Sequence, residues 1–245
     1  MIELIKKYQP DIACFQEMVA GDSLKHTINY IGEFPKKLGM KYYYYSYKPA
    51  YDFDFKHHFG NIIFSRYPLI NQTTLEYKPY DYNSVFQHAD VVKGRDTFRI
   101  FNIHLQSLRF SPENMKYISD PTQSGNDNIK ESKSILAKFR TGFIRRYRQA
   151  NHVRKQMNKS KYPIILCGDF NDVPNSYAYN TIGTNFKNAF TECGYGIGAT
   201  YSGILPTLRI DNIFCDTLFE VKQFTRIKKR LSDHYPIIAD LEITQ

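Results

Sequence analysis

The sequence has 245 residues, 42% of them hydrophobic, with a net charge of +9 and a pI near 9.2. That length buries a sizeable core and fits one large domain as easily as two small ones. No apolar run of about 18 residues occurs, so no part reads as a membrane span. Residues 1–7 lack the apolar core and small-residue cleavage site of a secretory leader. The positive charge favours polyanions: nucleic acid, phosphorylated small molecules or an anionic membrane surface. It does not choose among them. Cys14, Cys167, Cys193 and Cys215 are widely spaced, with no C-x-x-C pair, and indicate neither a disulfide framework nor a zinc site. Tyrosine (20) and phenylalanine (18) are abundant while tryptophan is absent, which supplies rings for a core and for a stacking surface.

In chain order, Ile2, Leu4, Ile5 and Tyr8 mark the end of an amphipathic helix stopped by Pro10. Residues 11–17 read as a short buried strand with Gln16 and Glu17 at its tip. A carboxylate at the end of a buried strand is where α/β folds place chemistry; standing alone, it reads as a solvated loop acid. Residues 22–39 look helical with Gly39 as the stop, and residues 41–47 form an aromatic, β-prone strand. His57 and His58 fall in a loop that enters an apolar strand. A hairpin follows: strand 85–92, turn 93–96, strand 97–105. Asn102, His104 and Gln106 share one face of it, and that polar stripe is either a functional site or a solvent face.

Residues 109–128 are aperiodic and rich in Ser, Pro, Asn, Asp and Gly, which reads as a long loop. Residues 129–157 look helical, with a break near Thr141-Gly142. Ile144, Tyr147, Asn151 and Met157 lie on one side of that helix. Arg145, Arg146, Arg148, Arg154 and Lys155 lie on the other, as a solvated basic face or a phosphate-binding one. Then Ile164, Ile165, Leu166 and Cys167, between Pro163 and a Gly-Asp turn signal, read as a strand buried on both faces. In an extended chain Asp169 and Asn171 share a face. A carboxylate beside an amide carbonyl suits a hard cation such as magnesium, and the same residues also simply end strands. A short helix at 175–181, a Gly-rich loop at 194–203 and a strand at 208–215 follow. That strand embeds Asp211 among apolar residues, where a carboxylate needs a partner. A strand at 221–228, a turn at 231–236 and a strand at 237–243 close the chain.

The motifs acquire meaning as an ordered set: Gln16-Glu17, Asn102-x-His104, Gly168-Asp169-Phe170-Asn171, Arg209-Ile210-Asp211-Asn212 and Ser232-Asp233-His234. Together they resemble the endonuclease/exonuclease/phosphatase superfamily, the fold of pancreatic-type deoxyribonucleases and abasic-site endonucleases. The resemblance runs from residue 2 to residue 243 and treats 1–245 as one domain. It implies an α+β fold, a four-layer α/β/β/α sandwich of two mostly antiparallel sheets, with strand-end loops converging on one cleft.

It also implies roles. Glu17 would be the principal magnesium ligand and Asp233 a further acid at that metal, with manganese also suited. Asp169 and Asn171 would position the nucleophilic water or the scissile phosphate. His234 would contact the phosphate with Asp211 orienting it, and His104 would be a second phosphate-binding histidine. Asn102, Arg145 and Arg146 are the expected substrate contacts. The chemistry is consistent: phosphoester cleavage calls for a Lewis acid and an in-line water, and an Asp–His pair fixes an imidazole tautomer.

One departure stands out. Members of the superfamily begin with a strand bearing an asparagine, and this sequence starts inside the helix that follows it. The expectation is a site short of one amide and an unpaired edge on the 11–17 strand. Such an edge invites swapping or dimerisation. An upstream membrane anchor would not be visible, so localisation stays open. The leading reading is a magnesium-dependent phosphodiesterase or nuclease acting on nucleic acid. The alternatives are a phosphatase of small or lipid phosphates, such as inositol phosphates or phospholipids, and a catalytically weakened binding protein.

Overall fold

A computed structural model of the chain describes residues 1–21, 30–47, 57–75, 85–108, 110–120, 128–203 and 207–244. The chain opens with α1 (Ile2–Tyr8), β1 (Ile12–Gly21) and α2 (Tyr30–Leu38). Five strands follow: β2 (Tyr42–Tyr47), β3 (His57–Ser65), β4 (Leu69–Leu75), β5 (Phe86–Lys93) and β6 (Asp96–His104). Helices α3 (Pro112–Ser119) and α4 (Asn128–Met157) lead to β7 (Ile164–Asp169). Then come α5 (Tyr177–Gly183), β8 (Phe186–Asn188) and α6 (Ala189–Cys193), and the chain closes with β9 (Asp211–Asp216), β10 (Phe219–Arg226) and β11 (Ile237–Ile243). No helix among the described residues is long and apolar enough to cross a membrane.

The apolar run of β7 is buried because β7 lies inside a six-stranded sheet of order β4-β5-β6-β7-β9-β8. Only β6 and β7 pair in parallel; the other neighbours are antiparallel. Facing it are a three-stranded sheet, β1-β3-β2, and the β10-β11 pair. Side chains alternate along each strand, and they sort into three clusters that define the layers. Between the sheets lie Ile63, Ile100, Ile165, Ile213, Phe219 and Val221. On the far side of the large sheet, Ala150 and Val153 of α4 and Ile182 of α5 cover Phe101, Leu166 and Phe214. On the other outer face Ile5, Phe34 and Leu38 of α1 and α2 cover Ile62 and Phe64. The result is the expected α+β four-layer sandwich of mostly antiparallel sheets. In β6, Asn102 and His104 are in phase with Ile100, so they look between the sheets.

Several local expectations change. His57 and His58 belong to β3, not to a loop, because β3 pairs on both edges and carries its pairing out to Gly21 and Ala20. Within the stretch expected as a loop, α3 forms behind a reciprocal cap. Ser111 Oγ accepts from Asn114 N, Asn114 Oδ1 accepts from Ser111 N, and Pro112 occupies the first turn. An asparagine takes the place of the acid usual in such a box. Helix α4 runs unbroken through Gly142, where a side chain would collide with Leu108 and the Arg146 guanidinium. The expected helical residues 22–29 and the loop residues 121–127 lie outside the described residues.

The basic face of α4 is also corrected. Arg146, expected to touch substrate, is 2% exposed. It follows the inward period of Gln149, Ala150 and Val153, all buried, so its position on the helix faces the sheet. Its Nε donates to Asp172 Oδ2 at 2.9 Å and its Nη1 to the Gln106 carbonyl at 3.0 Å. Arg154 likewise turns inward and donates to the Ile182 carbonyl at 3.3 Å. Arg148 and Lys155 remain exposed, and half-buried Arg145 donates to Gln106 Oε1 at 3.2 Å.

A buried pair is costly to break from one side, because an uncompensated charge stays behind. Arg146→Met is therefore expected to cost about 3–5 kcal/mol in urea unfolding, and Arg146→Met/Asp172→Leu to regain most of it. A single-variant loss below about 1 kcal/mol would show that Asp172 does not depend on this guanidinium.

Candidate active site

Register assembles the site. Across β6, β7 and β9, His104 lies opposite Asp169 and Asp169 opposite Asp211. Three polar side chains thus stand on one rung, facing the space between the sheets. Glu17 approaches from the facing sheet. It sits in a bulge of β1 between Phe15 and Met18, with a left-handed φ of 54°. Bulges re-aim side chains, and a non-glycine residue held at positive φ is strained. The Glu17 side chain is 56% exposed and its Oε1 lies 3.9 Å from His104 Nε2. The same imidazole nitrogen is 3.5 Å from Asp169 Oδ2, so His104 stands between the two acids.

Asn102, one rung back, is fully buried. Its Nδ2 donates to the Phe15 carbonyl at 3.0 Å and the Ile62 carbonyl at 2.9 Å, and its Oδ1 accepts from Gln16 Nε2 at 2.7 Å. It cannot contact substrate as expected from sequence, because its amide is enclosed between the sheets. It ties β1 and β3 to β6 and so holds the bulge that presents Glu17.

His234 reaches the rung from the loop before β11. Its Nδ1 lies 2.8 Å from Asp211 Oδ2, and its Nε2 lies 4.0 Å from Asp169 Oδ2. Asp211, the carboxylate embedded in an apolar strand, thereby finds its partner. The loop is held locally: Ser232 Oγ accepts from His234 N at 3.1 Å, and the Asp233 carbonyl accepts from Ser202 N at 2.7 Å. Asn171, at φ 47°, donates its backbone N–H to Asp169 Oδ1 at 2.7 Å. Its Nδ2 donates to Asp169 Oδ2 at 3.1 Å and the Leu105 carbonyl at 3.0 Å, so Asn171 fixes the Asp169 carboxylate.

Two contributors carry no signal in the sequence. Tyr201 packs edge-on against the His234 ring at 5.3 Å and forms an isolated bridge with that residue. Thr200 Oγ1 accepts from the backbone N–H groups of Ile210 and Asp211, each at 3.0 Å, and so sets where β9 begins. Both lie in the stretch legible only as a Gly-rich loop. Arg209 and Asn212, which flank Asp211 in its motif, face the other way. Arg209 Nη1 donates to Asn188 Oδ1 and Asn212 Oδ1, each at 3.3 Å, and the guanidinium lies over the Phe190 ring.

The electrostatics follow from this crowding. Burial, then the neighbouring Asp211 charge, push the Asp169 carboxyl up to about 8. Burial pulls His234 down, but the hydrogen bond to Asp211 and the charges of Asp211, Asp169 and Asp233 outweigh it and raise it to about 9. Oxygens of Asp169 and Asp211 and a nitrogen of His234 lie within 4.8 Å of one another. Glu17 and Asp233, the expected metal ligands, line the same cavity. Four acids facing two imidazoles make a site short of positive charge. A hard divalent cation with a preference for oxygen ligands fits that donor set.

The sequence pattern of the Endonuclease/Exonuclease/phosphatase family matches residues 1–234, and the chain belongs to that family. Its members hydrolyse phosphoesters. No curated protein matches the sequence. Among solved structures, the human Nocturnin catalytic domain with bound sulfate anion is similar at 20% identity and TM-score 0.65, covering 99% of this chain and 84% of that one. An endonuclease/exonuclease/phosphatase from Beutenbergia cavernae is similar at 16% identity and TM-score 0.70, covering 99% and 65%. A mannosyl-6-phosphatase from Bacteroides thetaiotaomicron is similar at 16% identity and TM-score 0.63, covering 99% and 89%. At these identities the likeness is one of fold.

Asp169 and His234 both bind protons more tightly in the native state than in the unfolded chain. Their contribution to stability is present below the ordinary values, 3.8 and 6.5, and is lost as pH rises toward about 8 and about 9. In chelator, the thermal midpoint is expected to fall between pH 6.5 and 9, and Asp169→Asn to flatten that fall. A midpoint that rises across this window would contradict the crowding of acids described above.

Proposed function

We propose that the chain is a divalent-metal-dependent phosphoester hydrolase, acting as a phosphodiesterase on nucleic acid. The observation that carries this reading is the Asp211–His234 pair at 2.8 Å, with the other imidazole nitrogen turned toward Asp169 in the shared cavity. Glu17 and Asp233 would hold magnesium, or manganese. When bound, such an ion supplies Lewis acidity toward a phosphoryl oxygen.

The remaining steps belong to the protein's own groups. At neutral pH His234 is an imidazolium, because Asp211 accepts from Nδ1–H. Its Nε2–H then donates a charge-assisted hydrogen bond to a phosphoryl oxygen. Asp169, held by both donors of Asn171, receives the proton of the attacking water as general base in its ionised form, which the charge of a bound cation would favour over the protonated form that burial imposes. His104 Nε2 keeps Glu17 and Asp169 apart and offers a second donor to the phosphate.

Nucleic acid is favoured by the net charge and by the outer face of α4. There Phe143 and Tyr147 are exposed beside Arg145 and Arg148, with exposed Tyr177 of α5 packed on the Tyr147 ring. Rings interleaved with cations suit bases and phosphates together. A specific observation favours a second reading, hydrolysis of small or lipid phosphates: Arg146 and Arg154 turn inward, which thins the basic face.

Plasmid DNA, oligonucleotides, inositol phosphates and phospholipids, assayed with magnesium, separate the two readings. Turnover of a chromogenic phosphodiester is expected, and His234→Ala should lower it by at least about 10²-fold in a chain that still folds, with a lower thermal midpoint because Asp211 loses its partner. No turnover of any of these substrates would leave a phosphate-binding protein. In oligonucleotide binding, charge reversal at Arg145 and Arg148 should flatten the salt dependence by about 0.7–0.9 for each phosphate that the helix no longer neutralises. An unchanged slope would make α4 a solvated face.

A further inference from the structure

The loop from β10 to β11 carries three consecutive exposed cations, Lys228, Lys229 and Arg230, just ahead of Ser232-Asp233-His234. The chemistry described above does not use them. Several cations elsewhere have carboxylate partners: Lys93 pairs with Asp11, Arg99 with Asp90, Arg146 with Asp172, and Lys222 with Glu220 and Glu242. Among the described residues, no carboxylate pairs with Lys228, Lys229 or Arg230. A run of surface charge is usually a solvated face. Two observations set this one apart.

The first is that the loop is pinned. Ile227 N donates to the Pro236 carbonyl at 2.9 Å and closes its base. Lys229 N donates to the Ile227 carbonyl at 2.7 Å, which turns the chain sharply at Lys228. Ser202 N donates to the Asp233 carbonyl and Tyr235 N to the Thr200 carbonyl, each at 2.7 Å. The backbone that carries the cations is thus fixed relative to His234, and a ligand need not order it.

The second is direction. Arg230 Nη2 donates to the Ser202 carbonyl at 3.3 Å, which lays its guanidinium along the segment that bears Tyr201. Tyr201 in turn packs edge-on against the His234 ring. Arg230 and His234 therefore border the same short segment. A guanidinium carries five N–H donors, and among the described residues only the bond to Ser202 occupies this one.

We propose that Lys228, Lys229 and Arg230 form a subsite for a second phosphate of the substrate, beside the phosphoryl group that His234 engages. The inference rests on the hydrolase reading and adds a substrate class to it: phosphoesters with a further phosphate next to the scissile one. Glu17, Asp169 and Asp211 disfavour a second anion near them, whereas the three cations attract one. Guanidinium and ammonium groups both suit phosphate oxygens through charge-assisted hydrogen bonds. Such a phosphate has two sources, an internal phosphate of a polynucleotide and a terminal phosphate of a nucleotide.

The test uses p-nitrophenyl phosphodiesters of thymidine in both strand polarities. Each is made without a second phosphate, with one on the other hydroxyl, and with that phosphate methylated. With magnesium, in one polarity, the second phosphate is expected to raise kcat/KM at least about tenfold, through KM. In Lys228→Ser/Lys229→Ser/Arg230→Ser that ratio should fall to about one. Preference kept after methylation assigns the subsite to an internal phosphate, and preference lost assigns it to a terminal one. If the triple variant does not fold, Lys228→Ser/Lys229→Ser keeps the Arg230–Ser202 bond and should still lower the ratio at least about threefold. Binding separates this proposal from the hydrolase reading. Thymidine 3′,5′-bisphosphate should bind the parent chain at least about tenfold more tightly than thymidine 5′-monophosphate, whether or not any ester is turned over, and the variant should lose that preference. Equal binding of the two nucleotides, with no preference in either polarity, would overturn the proposal. So would a variant that loses turnover of every substrate in the same proportion, because the loop would then support His234 and bind no phosphate of its own.

Discussion

The structure turns on a register. β6, β7 and β9 must align so that His104, Asp169 and Asp211 occupy one rung, and a slip of one residue would turn all three to the helix side. The alignment is enforced from both faces. Ile165 and Ile213 are locked into the inter-sheet core, and Leu166 and Phe214 into the core beneath α4 and α5. Gly168 permits it locally, because a Cβ at that position would collide with the Ile103 carbonyl on the parallel neighbour. The glycine before Asp169 is thus a requirement of close strand approach. Two carboxylates opposite each other are destabilising in themselves. The cores hold them together at the cost of one acid that resists ionisation and one histidine that resists deprotonation.

Much of this was legible in the sequence because strands have period two. The polar stripe of β6 and the isolated Asp211 both stood out against apolar neighbours. What the stripe could not show was depth. Asn102 and His104 share a face, but Asn102 lies where β1 and β3 cross over β6, and its amide is used up in holding them. His104, one rung nearer the strand ends, remains beside Glu17. The difference between a clamp and a site residue is here a matter of one rung, which only the facing sheet determines.

The basic helix shows the same limit at period 3.6. Arg145, Arg146 and Arg148 are nearly consecutive, so charge alone paints them as one face. Successive residues on a helix point in different directions and have separate surroundings, and Arg146 falls in line with Ala150 and Val153. Its partner Asp172 lies just after β7, a tertiary contact with no local signature. The reciprocal cap that starts α3 was readable from Ser111 and Pro112. It was obscured because Asn114 replaces the usual acid and the surrounding composition reads as loop.

The two sheets contribute unequally to the site. His104, Asp169 and Asp211 belong to the six-stranded sheet, where β6, β7 and β9 are each paired on both edges. Their mutual geometry is therefore set by a continuous ladder. Among the described residues, Glu17 lies on a strand paired on one edge, and Asp233 and His234 precede another such strand. The link between those two strands runs through packing onto the large sheet rather than through hydrogen bonds of their own layer. The acids expected to share a metal ion thus lie outside that continuous ladder. The Asp211–His234 bond bridges the two halves of the site.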